Sequence, residues 1–353
     1  MAVDIYKPQT MMKMVEQLAP LHTFLLDTFF KRIKTFYTES VTMDVKKGGM
    51  AMAPFVHPRI GSKVLERQGY KTIQYTPPLV APKRILTTDD IDVRLPGEAL
   101  FGGYNPNKRQ AELLMEDLSE LDQSIVRRLE WMVAQLLFNA EIPVIGEGVN
   151  DLISFEFDNH TVVDIPWSDT ENSDPEDDLF NAAERVAQSG YTAEVAIGDS
   201  ESMRNLIRNK RIKEMLDKKD YNMGVIAPER LRNGAMYLGY LREPGLHLYS
   251  YNARFADNDN ENPDFPGIKP EDKGFVPATY SLVPRGKVAV APMTSLGRML
   301  YGVIKDLQIG SHAKPRVPKQ WDQEEPSEKY LKISSRPLPC PDDLDKWVTL
   351  DVL

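Results

Sequence analysis

The sequence predicts a protein of the α+β class, in which helices and strands occupy separate stretches of the chain. Three observations support this prediction: a long amphipathic helix over 105–140, an extended basic stretch over 41–93, and a strand-and-helix unit over 178–305. The 353 residues are enough for two or three domains with sizeable cores. Apolar residues make up 42% and charged residues 27%, as in an ordinary globular protein.

The long helix is the strongest periodic signal. Asn105 can cap it, and Pro106 suits its first turn because no backbone N–H is needed there. An apolar stripe then recurs every three or four residues, formed by Leu114, Leu118, Leu121, Ile125, Leu129, Met132 and Leu136. Charged residues, among them Asp117 and Glu130, are expected on the rest of the helix surface. The pattern fits either an ordinary core helix or the spine of a larger domain.

The N-terminal 40 residues carry a short amphipathic pattern over 11–18 and a dense apolar, aromatic stretch over 21–37. Phe29 and Phe30 lie in the second stretch. Such a patch needs a surface against which to bury. Two interpretations stay open: a helix docked on the chain's own core, or an arm that packs on a neighbouring subunit.

The stretch 41–93 is mostly extended. Residues 41–45 and 71–76 alternate like strands, and 46–49 form a turn signal. Long loops without structure of their own are uncommon in compact domains, and an isolated hairpin is marginal in water, so we expect a protruding arm supported by another molecule. The stretch is locally basic and suits the acidic surface of an identical neighbour. Its basic residues are Lys46, Lys47, Arg59, Lys63, Arg67 and Lys71.

The remaining chain alternates between strand and helix signals. A meander of strands is expected beside the long helix, an acidic linker over 168–178, and a second domain after it. The tail is extended again and ends in a strand. The expected strands lie at 84–88, 142–145, 152–157, 162–165, 194–197, 238–241, 246–251, 287–291, 329–335 and 346–353, and the expected helices at 179–189 and 203–216.

Charge and cysteine content narrow the class of protein. With 52 acidic and 43 basic residues the net charge is −9, whereas proteins that bind nucleic acid typically carry a basic surface. Cys340 is the only cysteine, so no disulfide can form within the chain and a reducing compartment is expected. Asp4 and Lys7 interrupt any signal peptide, and no apolar run approaches the roughly 20 residues that cross a bilayer. We expect a soluble, intracellular protein.

One local motif suggests an enzyme. Gly198-Asp199-Ser200 begins like the serine signature of a hydrolase family, but Glu201 replaces the expected leucine. Asp199 or Ser200 also fits the cap of the following helix, and we favour that interpretation. The alternative function is a soluble enzyme or small-molecule-binding α/β protein with its site near Gly198 and Ser202, where a strand leads into a capped helix.

Metal and cofactor motifs are absent from the sequence. Asp257, Asp259 and Glu261 imitate a calcium loop, but Asn262 replaces the required glycine and Ile268 the final acid. The five histidines lie far apart, and a single cysteine cannot form a zinc cluster. We therefore predict no metal, no cofactor and no catalytic residue.

Several stretches, in a fixed order, resemble one family. They are 29–33 leading to 36–39 (FFKRI and FYTE), 75–83 (YTPPLVAPK), 212–217 (IKEMLD) and 318–321 (PKQW). Together with the aromatic arm, basic loop, long helix, meander and inserted α/β unit, they make the chain resemble the major capsid protein E family of lambda-like tailed bacteriophages. The resemblance covers nearly the whole chain.

This resemblance implies the capsid fold that tailed phages share with herpesvirus shells. Residues 1–40 would be the N-terminal arm and 41–93 the extended loop. Residues 94–177 would form the peripheral domain with its spine helix over 105–140. Residues 178–295 would be the axial domain, and 296–353 would return to the peripheral domain.

The resemblance also implies a structural role rather than an enzymatic one. Such proteins assemble as hexamers and pentamers into an icosahedral phage or prophage head around double-stranded DNA. The implied partners are other copies of the chain, a scaffolding protein, a portal and a decoration protein, with DNA close by only non-specifically and no membrane. Assembly would occur in the bacterial cytoplasm. The arm and loop would contact neighbouring subunits through Phe29, Phe30, Lys46, Lys47, Gly48, Gly49, Arg59, Lys63 and Arg67.

Overall fold

Helices and sheets lie side by side in the computed structural model, and no barrel closes among the described strands, so the predicted α+β class is confirmed. The structure describes residues 8–18, 21–46, 70–87, 90, 106–146, 148–155, 157, 159–217, 224–231, 233–257, 278–325 and 328–353. The helices are α1 (Pro8–Gln17), α2 (Leu25–Phe29), α3 (Pro106–Asn139), α4 (Pro175–Gln188), α5 (Ser200–Arg208) and α6 (Lys210–Asp217).

The strands are short and belong to several separate sheets. They are β1 (Arg32–Thr35), β2 (Val41–Lys46), β3 (Tyr70–Tyr75), β4 (Lys83–Leu86), β5 (Glu141–Gly146), β6 (Val149–Ser154), β7 (His160–Val162), β8 (Val195–Gly198), β9 (Gly224–Arg230), β10 (Ala235–Leu241), β11 (Leu246–Tyr251), β12 (Arg254–Asp257), β13 (Ala278–Ser281), β14 (Lys287–Ala291), β15 (Gly297–Tyr301), β16 (Ile304–Asp306), β17 (Gly310–His312), β18 (Val317–Gln323), β19 (Glu328–Ser334), β20 (Pro337–Pro341) and β21 (Val348–Asp351).

Helix α3 confirms the predicted long helix. Its 34 residues span roughly 50 Å at 1.5 Å per residue. The helix ends where Ala140 adopts a φ of 55° and its N–H bonds the Leu136 carbonyl at 3.0 Å, a left-handed conformation more often taken by glycine. The predicted cap, Asn105, lies outside the described residues. All seven predicted stripe residues are at most 6% exposed: Leu114, Leu118, Leu121, Ile125, Leu129, Met132 and Leu136.

A three-stranded antiparallel sheet, β18-β19-β4, lies along α3. Arg84 of β4 pairs with Asp117 of α3 at 2.7 Å and with Glu120 at 2.6 Å. Arg316, which precedes β18, pairs with Asp122 at 2.6 Å. Asp117 is only 8% exposed, so its expected position on the helix surface is wrong. Its carboxylate is buried because it receives the Arg84 guanidinium.

A seven-stranded mixed sheet forms the second unit, in the order β7-β21-β14-β8-β11-β10-β9. Strand β8 pairs with β11 in parallel and with β14 in antiparallel orientation. All four residues of β8 are buried, as expected for a central strand covered on both faces. Helix α4 packs on β14 and β21, α5 on β11, and α6 on β9.

The closing strand belongs to this sheet. Strand β21 pairs with β14 on one side and β7 on the other. Val348, Thr349 and Leu350 are at most 2% exposed, so the strand is buried on both faces and requires a position between two others. Of the preceding tail strands, β19 and β20 contact α3.

Two helix predictions are also corrected. The single helix expected over 203–216 is divided at Asn209, whose extended ψ of 138° ends α5 and whose side-chain oxygen accepts the N–H of Arg211 at the start of α6. The apolar stretch over 21–37 forms the five-residue helix α2 and then strand β1 rather than one long element. The Asn209 side chain interrupts the first stretch, whereas pairing with β15 draws residues 32–35 of the second stretch into a strand.

Truncation of the α3 stripe tests the packing of the core. Leu118 is 0% exposed, so Leu118→Ala should lower the free energy of unfolding by roughly 2–5 kcal/mol, through lost burial and a residual cavity. Met115, on the same helix, is 38% exposed, and Met115→Ala should cost roughly 1 kcal/mol or less. Urea denaturation followed by circular dichroism measures both. Equal losses would contradict the assignment of the buried face.

Candidate assembly elements

The N-terminal segment is held on α3 by one buried carboxylate. Glu130 is 2% exposed. Its Oε1 accepts the N–H groups of Phe24 (3.1 Å) and Leu25 (2.8 Å), and its Oε2 accepts that of Leu26 (2.8 Å). These are N–H groups at the start of α2, which have no partner within a helix, so a carboxylate satisfies them well. The expected surface position of Glu130 is therefore wrong.

The same carboxylate reaches the second sheet. The hydroxyl of Tyr251, the last residue of β11, donates to Glu130 Oε1 at 2.8 Å. Burial raises the pKa of the Glu130 carboxyl, and the hydrogen bonds from Leu25, Leu26, Tyr251 and Phe24 act in the opposite direction. The pKa of Tyr251 is also raised, by burial and the nearby Glu130 charge, so its hydroxyl stays neutral and donates. Glu130 thus joins α3, α2 and β11.

Phe29 and Phe30 are buried within this chain, 0% and 1% exposed. Their predicted contact with a neighbouring subunit is therefore wrong, and the alternative of docking on the chain's own core is the one that the structure shows. The two rings belong to the core cluster that includes the α3 stripe. Gly297 leaves space for Phe30, because a Cβ atom there would lie 2.8 Å from Phe30 Cε1.

Strands β2 and β3 form an antiparallel hairpin base. Six residue pairs connect the two strands; the first is Val41 with Tyr75 and the last is Lys46 with Tyr70. No third strand among the described ones pairs with either of them. Val41 and Met43 are buried in the core and anchor the base. Lys46 lies at the last described pair; the other predicted loop contacts, Lys47, Gly48, Gly49, Arg59, Lys63 and Arg67, lie outside the described residues.

A second hairpin, β5–β6, follows α3 and supports the first. The Tyr75 hydroxyl donates to Asp151 Oδ2 at 2.6 Å, and burial together with this carboxylate raises the pKa of Tyr75. Ile142 and Ile153 face the core. The opposite face exposes Ile145 (77%) and Leu152 (52%). An exposed apolar face on a two-stranded sheet needs a further partner.

Sequence reasoning assigned these strands but missed the exposed face. The signal was available, because the apolar residues of 142–145 occupy both parities of the strand. An ordinary half-buried strand alternates apolar with polar side chains. The apolar residues at both parities of 142–145 therefore predict a strand that has apolar side chains on both of its faces.

The alternative enzyme site near Gly198 and Ser202 has no catalytic geometry. Asp199 caps α5, since its carboxylate accepts the N–H groups of Glu201 and Ser202. Ser202 is 0% exposed, and its hydroxyl has no hydrogen-bond partner in the described chain. A Cβ atom at position 198 would lie 2.8 Å from Met203 Cε, so the side chains of the core pack closely against Gly198.

In the part of the chain that the structure describes, no three His, Cys, Asp or Glu side chains are grouped so as to hold a metal ion. Most of the calcium-like stretch lies outside that part. No helix in the described ranges has the length and apolar character needed to span a bilayer. Cys340 is a buried cysteine, 5% exposed, and forms no disulfide within the described chain.

The turn after β16 carries a strongly ionised carboxylate. Asp306 accepts the N–H groups of Gln308 and Ile309, and its Oδ2 lies 2.6 Å from Lys319 Nζ. The Lys319 ammonium and the two N–H groups lower the pKa of Asp306 to about 2. This pair fixes the β16–β17 turn on β18.

Comparison with known proteins gives one consistent result. A sequence profile described as phage major capsid protein E matches residues 7–352. The chain is 23% identical to the major capsid protein of Escherichia phage lambda, over 99% of this chain and 100% of the relative. It is 24% identical to the major capsid protein of Enterobacteria phage P21, with the same coverage of both chains.

Solved structures with the same fold point in the same direction. One is a candidate capsid protein of a prophage from E. coli CFT073, with a TM-score of 0.67 and 20% identity over 96% of this chain and 95% of that one. Another is a phage-related protein from Bordetella bronchiseptica RB50, with a TM-score of 0.53 and 12% identity over 99% and 98%. The predicted phage capsid fold is thereby confirmed.

Removal of the Glu130 charge should loosen the N-terminal segment. Glu130→Gln places an amide among four donors and should cost roughly 2–4 kcal/mol of unfolding free energy, whereas Tyr251→Phe removes one hydrogen bond and should cost roughly 1 kcal/mol. The exposed Glu116→Gln on the same helix is the matched control. Denaturant titration measures all three. A loss for Glu130→Gln no larger than that for Glu116→Gln would contradict the clamp.

Asp306 predicts an acid-sensitive contribution to stability. Its folded pKa of about 2 lies below the ordinary 3.8, so its stabilisation is present above pH 3.8 and is lost as the pH falls towards 2. Asp306→Asn should therefore be less stable than the parent at pH 6, with the difference shrinking below pH 4. Thermal melts across this range measure it, with the exposed Asp322→Asn as control. A difference independent of pH would refute the assignment.

Proposed function

The chain belongs to the phage major capsid protein E family, and from this premise we propose that it is the structural subunit of a phage or prophage head. Copies assemble as hexamers and pentamers into an icosahedral shell that encloses double-stranded DNA. The carrying observation is the profile match over nearly the whole chain. The role is structural rather than enzymatic, and the close packing against Gly198 supports this.

The units of the proposed subunit follow the chain order. Residues 1–40 form the arm, 41–93 the extended loop, 94–177 the peripheral domain around α3, and 178–295 the axial domain that surrounds the hexamer or pentamer centre. Residues 296–353 serve both domains. The support for this last point is that β19 and β20 contact α3, whereas β21 lies in the seven-stranded sheet.

Contacts between subunits are made by the loop and by the apolar face of β5–β6. Lys46, Lys47, Gly48, Gly49, Arg59, Lys63 and Arg67 supply the loop contacts. The loop is basic and the whole chain carries a net charge of −9, so the loop of one copy is attracted to the acidic surface of the next. Ile145 and Leu152 gain the apolar cover that they lack within one chain.

Further partners follow from the proposed role. A scaffolding protein guides assembly in the bacterial cytoplasm, a portal occupies one vertex, and a decoration protein binds the outer surface. DNA lies close to the shell without specific contacts, because an acidic protein repels phosphate groups. The virion capsid is the final location.

Shortening of the loop tests this function. Lys46 and Tyr70 are directly paired, so replacing residues 47–69 by Asn-Gly closes the hairpin with a two-residue turn. The shortened chain should keep its thermal transition, because Val41 and Met43 remain in the core, but should form no closed particles. Negative-stain electron microscopy with the same scaffold measures the particles, and circular dichroism verifies the fold. Particles like those of the parent would contradict the role of the loop.

A further inference from the structure

The outward face of the β18-β19-β4 sheet carries lysines and aromatic rings, of which only Lys319 takes part in a contact described above. Between β18 and β19, Lys319 lies opposite Lys332 and Trp321 lies opposite Tyr330. Between β19 and β4, Lys332 lies opposite Lys83 and Tyr330 lies opposite Ile85. Paired residues of antiparallel strands share a face. We name this set the lysine–aromatic face; its members are Lys83, Ile85, Lys319, Trp321, Tyr330 and Lys332.

The centre of the lysine–aromatic face is ordered and partly exposed. Trp321 and Tyr330 stack with ring centroids 5.2 Å apart and planes within 8°. The Nζ atoms of Lys319 and Lys332 lie 5.7 Å and 5.9 Å from the Trp321 ring. Ile85 beside them is 42% exposed. Rigid aromatic side chains of this kind are typical anchors of protein interfaces.

The charges on this face are only partly compensated. Asp306 neutralises Lys319 at 2.6 Å, and Glu328 accepts the Tyr330 hydroxyl at 2.7 Å. Lys83 and Lys332 have no ion pair with any residue that the structure describes. Two lysines that form no ion pair with the described residues therefore flank an apolar centre, on a chain whose net charge is −9.

We propose that the lysine–aromatic face binds an acidic surface segment of a second copy of this chain. The inference rests on the proposed shell function, which brings copies into contact. The face has an exposed apolar centre, the lysines Lys83 and Lys332 beside it, and carboxylates at its edge. An apolar centre with a charged rim is the arrangement typical of a protein interface. A track for nucleic acid would need a continuous row of cations, and Asp306 and Glu328 would repel phosphate. The acidic chain supplies a complementary surface in every copy.

Charge reversal at the two free lysines tests the proposal in the full chain. Lys83→Glu/Lys332→Glu should assemble at least about tenfold less than the parent at low salt, because like charges then face each other. Roughly 1 M NaCl should restore part of the assembly, since it shortens the Debye length to about 3 Å. Lys210→Glu/Lys213→Glu makes the same change in charge on exposed residues of α6 and is the matched control.

Sedimentation velocity gives the assembled fraction, and circular dichroism establishes that each variant is folded. Trp321→Ala, which removes the anchor without changing charge, should also reduce assembly. Undiminished assembly of Lys83→Glu/Lys332→Glu, or an equal loss in the α6 control, would overturn the proposal. Loss of binding to a duplex DNA oligonucleotide with assembly intact would overturn it in favour of a nucleic-acid surface. If the parent itself forms no particle, the shell function fails and this proposal fails with it.

Discussion

The Glu130 carboxylate is the interaction on which the arrangement of this chain depends. It lies on the long helix, accepts the first N–H groups of α2 and receives the Tyr251 hydroxyl from the seven-stranded sheet. Burial makes an unpaired charge or an orphaned N–H costly, so the four donors and the carboxylate are stable only together. At the C-terminal end of the helix, Trp347 and Thr349 both donate to the Leu137 carbonyl. The helix therefore fixes the N-terminal segment at one point and the closing strand at another.

Three surfaces at the edges of the fold lack a partner within the described chain. The hairpin base β2–β3 is anchored by Val41 and Met43 but is paired with no third strand in the described ranges. The outer side of β5–β6 exposes Ile145 and Leu152. The lysine–aromatic face exposes Ile85 beside the ammonium groups of Lys83 and Lys332. A monomer would expose all three to water, whereas a shell subunit covers them with its neighbours. The family relationship and the physical character of these surfaces therefore support the same role.

Periodicity and alternation predicted much of this fold from the sequence. The α3 stripe and strands β2, β11 and β14 follow directly from residue spacing, because their described residues have one consistently buried face or are nearly all buried. The central interaction was not predictable in this way. Glu130 has the spacing of a surface charge, and only its distant partners at Phe24 and Tyr251 explain its burial. The position of β21 and the internal burial of Phe29 likewise depend on partners that are distant in the sequence.

The most direct test of the account is electron microscopy of the purified full chain, alone and with its scaffold. Closed icosahedral shells, or rings of five and six subunits, are the expected result, because contacts between copies would cover the exposed hairpin and apolar faces. A uniform monomer under both conditions, at concentrations where related shells form, would contradict it.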